Sequence, residues 1–185
     1  MNRKLIGFLI LFDLAWSISA LIYDGGIITK IPFYFWPFLI ICPIFPFILA
    51  LAWYQIYYKI KPSPWFLAFG GISSAIYFLA ALIYYPAWMY INGFDILALG
   101  QIFWIAAYAT QAFYLMKKFK LETAPILTTT IFLVLSFLTQ WQTKTLGYLD
   151  FINMPSAVIA KGYILLVIIL FTLSTFLISR GSRQT

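Results

Sequence analysis

Histidine is absent from this chain, cysteine occurs once, at Cys42, and only five residues are acidic. Without histidine there is no bis-histidine haem, no imidazole-bound copper, iron or zinc, and no Ser-His or Cys-His nucleophile. One cysteine makes no intrachain disulfide and no thiolate cluster. Glycine-rich phosphate loops, paired carboxylates at helical spacing and HExxH-type motifs are missing too. Hydrolysis, phosphoryl transfer and redox chemistry therefore lack their parts. The sequence points to no catalytic residues, no metal ligands and no cofactor. Only a proton-initiated isomerisation or cyclisation of a lipid could run on what remains.

Charge is equally scarce. Charged residues make up 9% of the 185, against about a quarter in a soluble domain. Hydrophobic residues reach 64%, aromatic ones 21% and mean hydropathy is +0.95. A soluble globular domain, a disordered chain and a coiled coil are excluded, and an integral membrane protein remains. The net charge of +7 is not read as a nucleic-acid signal, because the basic residues sit between apolar runs.

A helix needs about 20 apolar residues to cross the hydrocarbon core. Six segments qualify: Leu5–Tyr23, Phe33–Tyr58, Trp65–Tyr85, Ile96–Met116, Ala124–Trp141 and Ala157–Ser179. The expectation is an all-α polytopic transmembrane helix bundle, a single domain over residues 1–185 with short loops. A barrel would show short alternating segments instead. Arg3, Lys4, Lys59, Lys61, Lys117, Lys118, Lys120, Arg180 and Arg183 fall on one side of six crossings; only Lys30, Lys144 and Lys161 fall on the other. The positive-inside rule then predicts both termini in the cytoplasm of a plasma-membrane protein. Tyr34, Trp36, Tyr84, Tyr85, Trp88 and Tyr90 are expected in the outer aromatic belt, and Trp53, Tyr54, Tyr57, Tyr58 and Trp65 in the inner one. The N-terminus also fits a signal peptide, with Ser17-Ile18-Ser19-Ala20 as its cleavage site; Asp13 within the apolar stretch argues for a retained first span.

Pro43 and Pro46 lie inside the second span and each removes a backbone donor, so a kink or a break is expected there. Gly70, Gly71 and Gly100 are expected to let helices approach closely, and Cys42 to be buried and inert.

Asp13 lies near the middle of the first span. A carboxylate at that depth costs a few kcal/mol or more, so it faces the interior, pairs, or carries a proton. It is either a proton or cation site or a packing lock. Lys161, five residues into the last span, either snorkels outward or pairs with Asp13. Gln101 is deep in the fourth span and expensive to bury, which makes it a candidate ligand-facing residue. Asp13, Gln101 and Lys161 form the candidate intramembrane polar site. Ser73, Ser74, Gln111, Thr128, Thr129 and Thr130 read as packing glue. Ala160-Lys161-Gly162 before an apolar run is similar to the retinal-binding helix of microbial rhodopsins, which have seven helices and a carboxylate on the third. This chain has six and none there, so retinal does not fit.

Ile31-Pro32-Phe33-Tyr34-Phe35-Trp36-Pro37-Phe38-Leu39-Ile40-Ile41-Cys42-Pro43 resembles the signature of an uncharacterised family of bacterial and archaeal multi-pass membrane proteins. That family reads Trp-Pro-Phe-Val-Pro-Asp-Ser/Cys-Pro here, and Leu149-Asp150-Phe151 resembles its late Asp-Tyr-like element. The family's Pro-Asp falls on Ile40-Ile41, and a histidine usual in its fourth span falls on Gln101. The resemblance thus implies a divergent member that has lost most of its polar centre, which suits a structural role.

Three functions stay open. The first is an accessory subunit of a larger membrane complex, respiratory or otherwise, whose partners are lipids, other subunits or a second copy. The second is a small transporter or channel working through Asp13. The third is a lipid- or terpenoid-binding protein or isomerase with Trp16, Tyr77, Trp104 and Tyr108 around its pocket.

Overall fold

The computed structural model describes residues 2–28, 32–39, 41–143, 145–146, 149–150 and 154–182. The chain begins with α1, Arg3–Ile28. A 3-10 turn at Phe33–Phe35 leads into a four-residue helix, α2, Trp36–Leu39. Five longer helices follow: α3 Ile41–Tyr57, α4 Pro64–Asn92, α5 Ile96–Lys118, α6 Thr123–Thr143 and α7 Ser156–Ser182. Extended structure among the described residues is one minimal antiparallel pairing, Thr145–Leu146 with Leu149–Asp150.

Local chemistry sets several of these ends. Pro64 occupies the first turn of α4, where its missing N–H costs nothing. Gly93, at φ +95°, ends that helix with a backbone conformation that L side chains rarely adopt. Asp95 caps α5 by accepting from the Leu97 N–H at 2.7 Å. Lys117 and Lys118 then occupy the last turn of α5, at the negative end of its dipole.

All helices except α2 and α3 are long and apolar enough to cross a membrane. Their outward surfaces fit lipid: Leu11, Ile22, Ile131, Ile168 and Phe171 are all exposed. Four hydroxyls on those surfaces are satisfied within their own helices. Ser19 donates to Ala15, Thr110 to Ala106, Thr172 to Ile168 and Thr175 to Phe171, each carbonyl 2.9 Å away. Water would make those bonds unnecessary; hydrocarbon makes them obligatory. The protein is a membrane-embedded helical bundle.

The second apolar segment differs from expectation. Its start, Phe33–Phe35, is a 3-10 turn rather than α-helix, and α-helix is described over Trp36–Leu39 and Ile41–Tyr57. Ile40, between α2 and α3, lies outside the described residues. Helix α3 continues through Pro46. The Ser17 hydroxyl donates to the Pro43 carbonyl at 2.6 Å, tying α1 to the start of α3.

Helix α4 is the most enclosed and packs against α3, α5, α6 and α7, whereas α1 rests chiefly on α3. The close approaches occur at glycines. A Cβ on Gly70 would meet Leu49 at 3.0 Å, and one on Gly71 would meet Met116 at 2.8 Å. Gly100 has open space instead, so it makes no such approach, and Gly162 supplies one that was not expected.

Cross-helix contacts fix the relative directions. The Arg3 guanidinium lies 5.3 Å from the Tyr57 ring centre, so the start of α1 meets the end of α3. Trp53 stacks on Tyr114 at 6.0 Å, bringing the ends of α3 and α5 together. Arg180 Nη2 lies 3.5 Å from the Lys117 carbonyl, which adds the end of α7. Basic residues from four helix termini therefore share one end of the bundle. Lys30, Lys144 and Arg183 lie outside the described residues, as do Ile31, Ile40 and Phe151 and the side chains of Asp24, Cys42 and Asp150.

Three residues assigned to aromatic belts turn inward. Trp53, Tyr84 and Tyr85 are buried, while Tyr34, Tyr54, Tyr58, Trp65 and Tyr90 are exposed. Linear position gives depth along a helix; the 3.6-residue period decides the face.

Candidate functional site

The buried stripe of α1 is Ile6, Asp13 and Ala20, seven residues apart. That spacing returns to the same face every two turns, so Asp13 points into the bundle, with 0% of its surface exposed. Asp13 Oδ1 accepts from Gln111 Nε2 at 3.0 Å, and Gln111 Oε1 accepts from Trp53 Nε1 at 2.6 Å. The indole N–H can only donate, so it fixes the amide's orientation and leaves the NH2 for the carboxyl. One relay thus ties α3, α5 and α1 together.

Aromatic rings surround this relay. Trp16 stacks on Trp104 with centroids 5.0 Å apart, and Phe12 lies 4.9 Å from Trp104 and 5.7 Å from Tyr108. Phe45 meets Tyr108 edge-on at 5.6 Å. Two polar atoms inside this environment lack hydrogen-bond partners: Asp13 Oδ2 and the Tyr108 hydroxyl. The chemistry on offer is one carboxyl with a free oxygen, one phenol and one amide. That set can hold a proton or a small cation, or lock helices.

A second polar cluster joins α4 to α6. The Tyr77 and Ser136 hydroxyls are 3.2 Å apart, and Gln140 Nε2 donates to both of them. Thr130 and Ser174 hydroxyls, 2.6 Å apart, connect α6 to α7. The Tyr84 hydroxyl donates to the Ile159 carbonyl at 2.9 Å, connecting α4 to α7. Apart from the Gln140–Ser136 bond within α6, these bonds cross between helices, where polar side chains act as packing contacts.

The three residues singled out in the sequence do not converge. Asp13 is central, but its partner is Gln111 rather than Gln101, which is half-buried nearer the other end of α5. Lys161 is exposed on α7, and Asp13 makes no bond to it. Depth accounts for this. At 1.5 Å per residue, Asp13 is about 15 Å from Arg3 at the basic end, Gln111 about 10 Å from Lys118, but Gln101 about 25 Å from Lys118 and Lys161 about 28 Å from Arg180. Matching depths from the basic end would have selected Gln111 from the sequence. Of the four pocket aromatics, Trp16 packs on both Trp104 and Tyr108, and Phe45 links Tyr108 to Tyr77, 5.9 Å from it.

Compared with family models, with curated proteins and with solved structures, the chain matches none.

Proposed function

We propose that this protein is an accessory, structural subunit of a larger assembly in the plasma membrane, crossing it six times with both termini in the cytoplasm. The observation that supports it best is the engagement of Asp13. The one deeply buried acid among the described side chains is committed through Gln111 to Trp53, which makes it a lock between α1, α3 and α5. Tyr77 with Ser136 and Gln140, Thr130 with Ser174, and Tyr84 with the Ile159 carbonyl likewise join helix to helix. Helix α1 is held along one narrow stripe and turns Phe8, Leu11, Ile18 and Ile22 outward, a surface suited to lipid or to a neighbouring subunit. Collection of the basic residues at one end supports the cytoplasmic assignment. Native extraction with identification of copurifying polypeptides tests the subunit reading.

A proton or cation pathway through Asp13 is the second reading, favoured by two buried oxygens without hydrogen-bond partners, Asp13 Oδ2 and the Tyr108 hydroxyl. It predicts that Asp13→Asn abolishes ion flux in vesicles while the protein still inserts. The subunit reading predicts that this variant assembles normally.

A further inference from the structure

At the basic end of the bundle a concavity opens between the last turn of α5, the loop that follows it, and the last turns of α7. Lys117, Lys118, Lys120 and Arg180 line it over an apolar floor of Met116, Leu121 and Leu177, all three buried. No carboxylate is among its lining residues, and Glu122, the nearest acid in sequence, is exposed outside it. Some of this charge is already used. Arg180 reaches the Lys117 carbonyl at 3.5 Å, and Lys118 Nζ lies 5.7 Å and 5.6 Å from the Tyr114 and Phe119 ring centres. Neither contact neutralises a cation. Two helix C-termini contribute only partial negative charge, about half an electron each, set against four full positive charges.

Four cations held around one hollow repel one another unless an anion sits between them. The hollow lies where the apolar helices α5 and α7 end, the level at which lipid headgroups would meet them. We propose that it binds a phosphate-bearing anion, supplied by the headgroup of an anionic phospholipid such as phosphatidylglycerol. Phosphate oxygens would meet Lys117, Lys120 and Arg180, and the glycerol backbone would rest on Leu177 and Met116. Basic pockets between transmembrane helices on the cytoplasmic side are suited to this chemistry. The inference is independent of the subunit reading, since a lone chain would carry the same hollow.

The test uses the full-length protein in neutral detergent, offered an equimolar mixture of phosphatidylglycerol and phosphatidylcholine and read by native mass spectrometry. The expected result is one phosphatidylglycerol retained in preference to phosphatidylcholine. Each cation near a membrane surface contributes roughly a fivefold factor, so Lys117→Gln, Lys120→Gln and Arg180→Gln together should weaken retention by roughly 100-fold. The control variant Lys59→Gln, Lys61→Gln removes two charges from the same end outside the hollow and should retain the lipid. Lys117→Arg, Lys120→Arg keeps the charge, and should also retain it. A separate arm offers inorganic phosphate in competition. Displacement of the lipid by millimolar phosphate assigns the site to free phosphate and still supports an anion site. Equal retention of the two lipids by the unaltered protein overturns the proposal, whether or not the triple variant folds. Equal loss in the triple and control variants overturns it as well, because the charge would then act without a site.

Discussion

Asp13 and Gln111 lie 98 positions apart in the chain and 3.0 Å apart in the bundle, and the bond between them ties the first helix, which rests chiefly on α3, to α5 as well. Through it α1 is connected to α5, and through the Gln111 carbonyl to Trp53 on α3. An average interhelical hydrogen bond in a membrane protein contributes about 0.6 kcal/mol. This one has more at stake, because each group left unpaired in a dry interior costs about 1–3 kcal/mol.

Gln111→Leu strands both the Asp13 carboxyl and the Trp53 indole N–H. It should destabilise the protein by about 2 kcal/mol or more, read as a lowered unfolding midpoint in detergent. Asp13→Asn keeps an oxygen for Gln111 to donate to, and should stay within about 1 kcal/mol of the unaltered protein. If both variants unfold alike, the carboxyl is not the lock described.

Glycine substitutions should separate rigid from yielding contacts. A Cβ on Gly162 would come within 2.5 Å of the Tyr84 hydroxyl and 2.8 Å of its Cζ. That ring is buried and its hydroxyl is bonded to the Ile159 carbonyl, so it has little freedom to move. Gly162→Ala should cost about 1–3 kcal/mol, in the range of overpacked cores. Gly71→Ala meets the flexible thioether of Met116 at 2.8 Å, which can turn aside. Its thermal midpoint should fall by less than that of Gly162→Ala.

The orientation is open to labelling. In a Cys42→Ala background, single cysteines at Lys61, Phe119 and the C-terminal Thr185 should all be shielded from a membrane-impermeant thiol reagent in intact cells. One at Asn92, at the opposite end of α4, should react. Reaction at Lys61 but not at Asn92 would invert the assigned topology.

Much of this architecture was legible in the sequence, and what was missed has a physical cause. Apolar run length places helices well when caps confirm them: the segment expected over 96–116 lies within α5, between the Asp95 cap and the two lysines of its last turn. A kink or break was expected at the prolines of the second segment, and α3 runs on through Pro46. Asp13 stood out as a lone acid in a hydrophobic run. Its partner did not, because Gln101 and Gln111 look alike along the chain and differ only in depth and face. Lys161 is exposed rather than joined to Asp13, in agreement with the outward of its two readings. Gly162 was read only as the residue after Lys161, and its contact with Tyr84 joins positions too distant in sequence to show a pattern.

The subunit reading is tested most directly by the native mass and composition of the complex extracted in mild detergent through an affinity tag on this chain. It predicts foreign polypeptides in fixed stoichiometry, with a mass well above the 21.3 kDa of the chain. A lone chain, or an assembly of this chain alone, would contradict it and leave the free oxygen of Asp13 as the place to look for activity.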